Sequence, residues 1–144
     1  MDEKSRLDLS KYRFERAEGA IKTAQNILDF GDPNGSASRS YYAIFYAMWS
    51  ISALDGFESS KHSSLISYFG RTYIKTKIFD TSLSDIVRFA FRTRTHADYA
   101  DFYQLPAEKA QMQIYDAQKF IETIRPYLQS RWGRNGGKIN ERNI

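Results

Sequence analysis

The chain has 144 residues and no cysteine, with 21 Lys and Arg against 17 Asp and Glu and a net charge of +4. That length suits one domain with an ordinary core, and the missing thiols exclude disulfides, thiolate nucleophiles and cysteine-ligated zinc. The segment from Arg131 onward carries Arg131, Arg134, Lys138 and Arg142 against Glu141, three of the four net charges, so the remainder is nearly neutral and a uniformly basic nucleic-acid binder is excluded.

From about Leu9 to Phe30, Ala17, Ala20, Ile21, Ala24, Ile27 and Leu28 recur at helical spacing and predict an amphipathic first helix, ended by Gly31. G-D-P-N-G-S then reads as a turn cluster, with Ser36 or Ser38 capping a second helix from Ala37 to Leu54. That helix is apolar or aromatic almost all round, so it is expected at the centre of the fold. Its rings Tyr41, Tyr42, Phe45, Tyr46 and Trp49 are expected in the core or a dimer contact rather than in a binding box.

A third helix is predicted from about His62 to Lys77, with Leu65, Ile66, Phe69 and Tyr73 on its buried edge. Asp80-Thr81-Ser82 offers caps for the fourth helix, and Pro106 suits the first turn of the last. There, Ala107, Ala110, Ile114, Ala117, Ile121, Ile124 and Leu128 keep spacings of three or four. No alternating run argues for a strand. The expected fold class is all-α, an antiparallel helical bundle with four principal helices plus a shorter fifth, over residues 1–130, followed by a basic flexible tail over 131–144. The charged start M-D-E-K-S-R leads into no signal-like apolar run, and the stretch Tyr41 to Leu54 is too short to cross a bilayer. A cytoplasmic protein with no membrane contact is expected.

The stretch Asp85 to Tyr103, D-I-V-R-F-A-F-R-T-R-T-H-A-D-Y-A-D-F-Y, is the richest in chemistry. At roughly 100° per residue, Leu83, Ile86, Ala90, Thr93 and Ala97 make a core stripe, while Arg88, Arg92, His96 and Tyr99 face away from it. Arg94 and Asp98 fall together at the edge, where a groove between helices would open. Their order, cation before carboxylate, is the weaker one for a helix-surface ion pair. Arg92, His96 and Tyr99 stand at i, i+4 and i+7, so a cation, a proton-transfer group and a phenol share one face, which a second subunit would have to enclose. Seven basic residues between Lys61 and Arg94 (Lys61, Arg71, Lys75, Lys77, Arg88, Arg92 and Arg94) face only Asp80 and Asp85, a local patch suited to phosphates. His62 and His96 do not make a metal-ligand pattern and no glycine-rich phosphate loop precedes a helix, so no metal and no cofactor are expected.

The segments S-R-S-Y-Y-A-I-F-Y-A (Ser38 to Ala47), K-H-S-S-L-I-S-Y-F (Lys61 to Phe69), Y-I-K-T-K-I-F (Tyr73 to Phe79) and R-T-H-A-D-Y (Arg94 to Tyr99) occur in the order found in the HEPN family. The chain resembles the small stand-alone prokaryotic members with an R-x-x-x-D-Y signature, over about Leu9 to Leu128. The resemblance implies a bundle that forms a homodimer with the motif helices lining the cleft, and a minimal nucleotidyltransferase partner in a two-gene toxin–antitoxin module. It also implies binding of RNA or a nucleotide, with metal-independent RNA cleavage in active members. Arg94, Asp98 and Tyr99 match the signature, and Tyr42 and Lys61 lie in the accompanying segments. Arg92 and His96 complete the candidate catalytic set, with Lys75 and Arg88 as further nucleotide or RNA contacts. The family's ribonuclease spacing, arginine, four to six residues, then histidine, is not met: Arg92 to His96 leaves three and Arg88 to His96 seven. The alternative is a catalytically inactive nucleotide-binding or scaffolding subunit. Lys77 stands where the family commonly has a turn glycine, and is expected to lengthen the third helix.

Overall fold

The computed structural model describes residues 1–143, with side chains described as far as Gly133. Among the described residues there are five α-helices and no strand: α1 (Glu3–Asp29), α2 (Pro33–Leu54), α3 (His62–Phe69), α4 (Ser82–Tyr99) and α5 (Ala107–Asn143). A π-helical turn, Gly70–Ile74, continues α3. The chain is thus the expected all-α bundle, and its short helix is the third.

α1 starts six residues before the predicted point because Asp2 caps it, accepting the Ser5 N–H at 2.8 Å. Its buried face, Ser10, Arg13, Phe14, Ala17, Ala20 and Ala24, has helical spacing and lies mainly on α2, the most extensive helix pairing in the molecule. Gly31, at φ +102°, closes α1: its N–H bonds the Leu28 carbonyl at 2.9 Å, and the Asp32 N–H reaches the Ile27 carbonyl at 3.1 Å. The Asp32 side chain then accepts the Gly35 N–H at 2.9 Å, and Pro33 occupies the first turn of α2. The predicted caps Ser36 and Ser38 therefore lie inside the helix.

α2 holds the centre, touching α1, α3, α4 and α5. Tyr41, Ala43, Ile44, Ala47, Met48 and Ile51 have no exposed surface. Leu65 and Phe69 of α3, Leu83 of α4, and Phe120, Ile121, Ile124 and Leu128 of α5 close on them. Each such side chain contributes about 1.5–3 kcal/mol through burial.

The third helix does not run on to Lys77. The π turn, closed by the Lys75 N–H on the Gly70 carbonyl at 2.8 Å, brings Phe69, Tyr73 and Ile74 all into the interior. Lys77 then takes φ +66°, the left-handed conformation that favours glycine, and turns the chain so that the Phe79 N–H meets the Tyr73 carbonyl at 2.8 Å. Lys77 replaces the turn residue without lengthening the helix.

α4 opens at Ser82, whose N–H bonds Asp80 Oδ2 at 3.0 Å, and ends at Tyr99, four residues before Tyr103. The connector from Ala100 to Pro106 is held by Asn34 of α2. Its Nδ2 donates to the carbonyls of Ala97 (3.3 Å) and Tyr103 (2.9 Å), and its Oδ1 accepts the Leu105 N–H (2.8 Å).

The boundary expected after residue 130 falls inside α5. Arg131 pairs with Asp55 at the end of α2, Nη2 to Oδ1 at 2.9 Å, and Trp132 donates its indole N–H to Ser10 Oγ at 2.9 Å and meets the Phe14 ring edge-on. Tyr73 also donates its hydroxyl to Asp55, and burial together with that carboxylate raises its pKa. The remaining tail side chains, expected to be flexible, lie outside the described residues.

Candidate functional site

Arg94 and Asp98 stand one turn apart on α4, on the flank that meets Tyr41 and Tyr42 of α2. Arg94 Nε lies 2.9 Å from Asp98 Oδ2, and the two side chains are only 17% and 29% exposed, well short of an ordinary surface pair. The Nε–H is not aimed along that line, so the contact is one of charge rather than a directed hydrogen bond. The guanidinium also reaches the Tyr42 hydroxyl at 3.4 Å and lies 5.4, 5.5 and 5.9 Å from the ring centres of Tyr41, Tyr42 and Tyr99. Those distances fall within cation–π range. Arg39 approaches the Tyr42 ring as well, at 5.8 Å.

The helical period of α2 explains why tyrosines meet this arginine. Tyr41 turns into the core, while Tyr42, one residue on, is left half-buried at its edge. Tyr41 sends its hydroxyl out to His62, the first residue of α3, at 2.8 Å from Nδ1. The His62 ring lies on Phe45, with centroids 4.1 Å apart, and is edge-on to Tyr42. Burial, reinforced by the positive charge of Arg94, holds the His62 pKa below its ordinary 6.5, so the ring stays neutral. Burial pushes the Tyr41 hydroxyl up to about 12, so it too stays protonated.

The structure therefore brings Arg94, Asp98, Tyr42 and Tyr99 together and adds His62, which sequence reasoning passed over. Its signal was present in K-H-S-S-L, directly after Lys61. Tyr99 forms an exposed rim. His96 stands elsewhere, exposed and edge-on to Tyr103 with centroids 4.0 Å apart. Arg92, His96 and Tyr99 do share a face, along a cavity between α4 and α5. Arg88 is paired with Asp85 one turn earlier rather than with the Arg94 group. Lys61 and Lys75 are both exposed, Lys61 just before α3 and Lys75 just after the π turn.

Among the described residues, no three His, Cys, Asp or Glu side chains stand together where they could hold a metal ion, and no helix is long and apolar enough to cross a membrane.

A helical bundle in which an arginine and an aspartate one turn apart close on tyrosines of the central helix is a domain built around an R-x-x-x-D-Y helix. Residues 10–127 match the family model of the HEPN domain, and the chain belongs to that family. It is 26% identical over 117 residues to a protein of Methanocaldococcus jannaschii named "Putative toxin", a match covering 81% of this chain and 80% of the relative. It is also 26% identical over 129 residues to the "UPF0332 protein" of Thermotoga maritima, covering 90% and 96% of the two chains. A second Methanocaldococcus jannaschii protein named "Putative toxin" is 25% identical over 114 residues, covering 79% of this chain and 84% of its own length.

Proposed function

We propose that this chain is the toxin-like member of a two-protein module, partnered by a minimal nucleotidyltransferase, and that it binds RNA and cleaves it without metal at the Arg94 group. The observation that carries this reading is the placement of a neutral His62 beside Arg94, with Tyr42 between them. The names of the two Methanocaldococcus jannaschii relatives support the toxin class.

In this reading a phosphodiester takes the place of Asp98 against the Arg94 guanidinium, which then balances the charge that grows on the phosphorus oxygens during attack. In the tautomer whose Nδ1–H is donated to the Tyr41 oxygen, His62 keeps the Nε2 lone pair free, and Nε2 takes the proton of the ribose 2′-hydroxyl. The 2′-oxygen bonds to phosphorus and the bond to the 5′-oxygen breaks. The leaving oxygen takes a proton from water or from the Tyr42 hydroxyl. The products are a 2′,3′-cyclic phosphate and a 5′-hydroxyl end.

The exposed rings Phe91, against Tyr41, and Tyr99, against Arg94, support a second copy closing over this side as a homodimer. The test is cleavage of total cellular RNA by the purified chain in chelator. Wild type is expected to cut, Arg94→Ala to lose about 10²–10³-fold and His62→Ala about 10²-fold or more. His96→Ala should stay within a few-fold of wild type. Intact RNA in a folded wild-type sample would overturn cleavage and leave a binding or scaffolding subunit.

A further inference from the structure

Two phenylalanines lie bare at one end of the bundle. Phe30, which closes α1, is 95% exposed, and Phe102, in the connector after α4, is wholly exposed. They share that end because Asn34, in the first turn of α2, holds the connector through Tyr103 and Leu105, and because Leu28, Tyr103 and Leu105 pack in one small cluster. A lone exposed apolar residue is ordinary, but two bare phenyl rings on loops tied to each other make an apolar surface without a partner.

Phe102 is also held against its own backbone preference. Its φ is +59°, in the left-handed region that a bulky side chain seldom adopts, and the ring gains no burial in return. Strain of this kind gathers at ligand clamps and other functional positions.

The charge at this end decides what covers it. Residues 23–38 and 97–108, which meet there, contain Asp29, Asp32, Asp98, Asp101 and Glu108 and no lysine or arginine, and Lys22, Arg39 and Lys109 border them. Only Asp98 is in an ion pair among the described residues, with Arg94. The other four are exposed, in a chain whose net charge is +4. Such a rim repels phosphate backbones and anionic lipid surfaces and attracts lysine and arginine. Beside Phe30 lies a cavity of about 350 Å³, lined by Thr23, Asn26, Ile27, Phe30 and Asp32. Its apolar wall and single carboxylate suit the stem and head of a long basic side chain.

We propose that this end docks a basic amphipathic segment of a partner protein. The apolar side chains of that segment cover Phe30 and Phe102, and its lysines or arginines meet Asp29, Asp32, Asp101 and Glu108. Aromatic anchors inside a polar rim are the common anatomy of a protein interface. The inference goes beyond the cleavage proposed above and does not rest on it.

The experiment titrates the purified full chain, by fluorescence anisotropy, with a labelled peptide of leucine and lysine at helical spacing, and with a twin in which glutamate replaces lysine. The overall positive charge of the chain favours the glutamate twin, so binding of the lysine peptide at least about tenfold more tightly marks the acidic end. Phe30→Ser and Asp101→Lys are each expected to weaken the lysine peptide about tenfold. Tyr115→Ser, which removes an exposed ring in the middle of α5, should change it by less than about twofold.

Phe102→Gly should weaken binding as much as Phe30→Ser while its thermal midpoint equals or exceeds that of wild type, because glycine accepts the positive φ freely. A lowered midpoint in that variant, wild-type affinity in it, or equal affinity for the two peptides overturns the inference. Self-association or RNA binding that is lost with Phe102→Gly overturns it as well, by giving this end to a second copy or to a strand.

Discussion

His62 and His96 differ in what their surroundings do to a proton. His96 is exposed, whereas His62 is stacked on Phe45, tied to Tyr41 and biased by Arg94, and its pKa is lowered. The unfolded chain takes up a proton near pH 6.5, while the folded chain resists until a lower pH. Stability is therefore lost as pH falls through 6.5 and levels off below the folded-state value. Urea midpoints measured at pH 7.5, 6.5 and 5.5 should fall more steeply for wild type than for His62→Asn, and parallel curves would show that His62 titrates as if free. His96 drew attention in the sequence because it shares one helical face with Arg92 and Tyr99, at a position two residues on from Arg94. On a helix two residues is about 200° of rotation, so it could not share Arg94's flank. His62 had no periodic signal, because its partners are tyrosines some twenty residues earlier on another helix.

The helices themselves were legible wherever apolar spacing ran unbroken: the centre of α2, the stripe Leu83, Ile86, Ala90 and Ala97 on α4, and the long face of α5. Their starts were not. Asp2 and Asp32 read as polar residues of a charged end and a turn cluster, yet each accepts a backbone N–H and begins a helix. Lys77 was misread because a lysine ordinarily extends a helix, and the turn shows in its positive φ and in the Phe79 to Tyr73 hydrogen bond, neither of which spacing reveals. Asn34 is the most consequential single residue at this scale, since one side chain joins the start of α2 to the end of α4 and the connector before α5. Asn34→Ala should cost about 2–4 kcal/mol through three lost hydrogen bonds, read from chemical denaturation. It should also speed amide exchange at Leu105, and unchanged exchange there would show that the connector is held by other contacts.

For the whole molecule, the bundle closes through Arg131 and Trp132 of α5. Trp132 reaches α1 and Arg131 reaches the end of α2, so α5 clamps two helices whose sequence positions are far from its own. Burial and the pull of Asp55 act against each other on the Arg131 guanidinium, and its pKa is raised, so the clamp keeps its charge through the ordinary pH range. Trp132→Ala is expected to cost about 2–3 kcal/mol, less than full burial of the ring would imply because it is half-buried. A thermal midpoint equal to wild type would place the folding unit before residue 131. This clamp was illegible because a Trp-Gly pair followed by glycines and basic residues has no repeating apolar face, and its partners Ser10 and Asp55 are single polar groups.

The π turn at Gly70–Ile74 has a further consequence at the level of the gene. Adding or removing one codon within a regular helix rotates every later residue by about 100°, which would swing Tyr73 and Phe79 away from the interior. A π turn is an α-turn that has already absorbed one extra residue, closing five along rather than four. Here the chain has a place where its length differs by one from the helical count while the flanking aromatic side chains keep their direction. Deletion of a single codon at this point, which restores the α-helical count, is therefore expected to cost less stability than a deletion in the middle of α2 or α4.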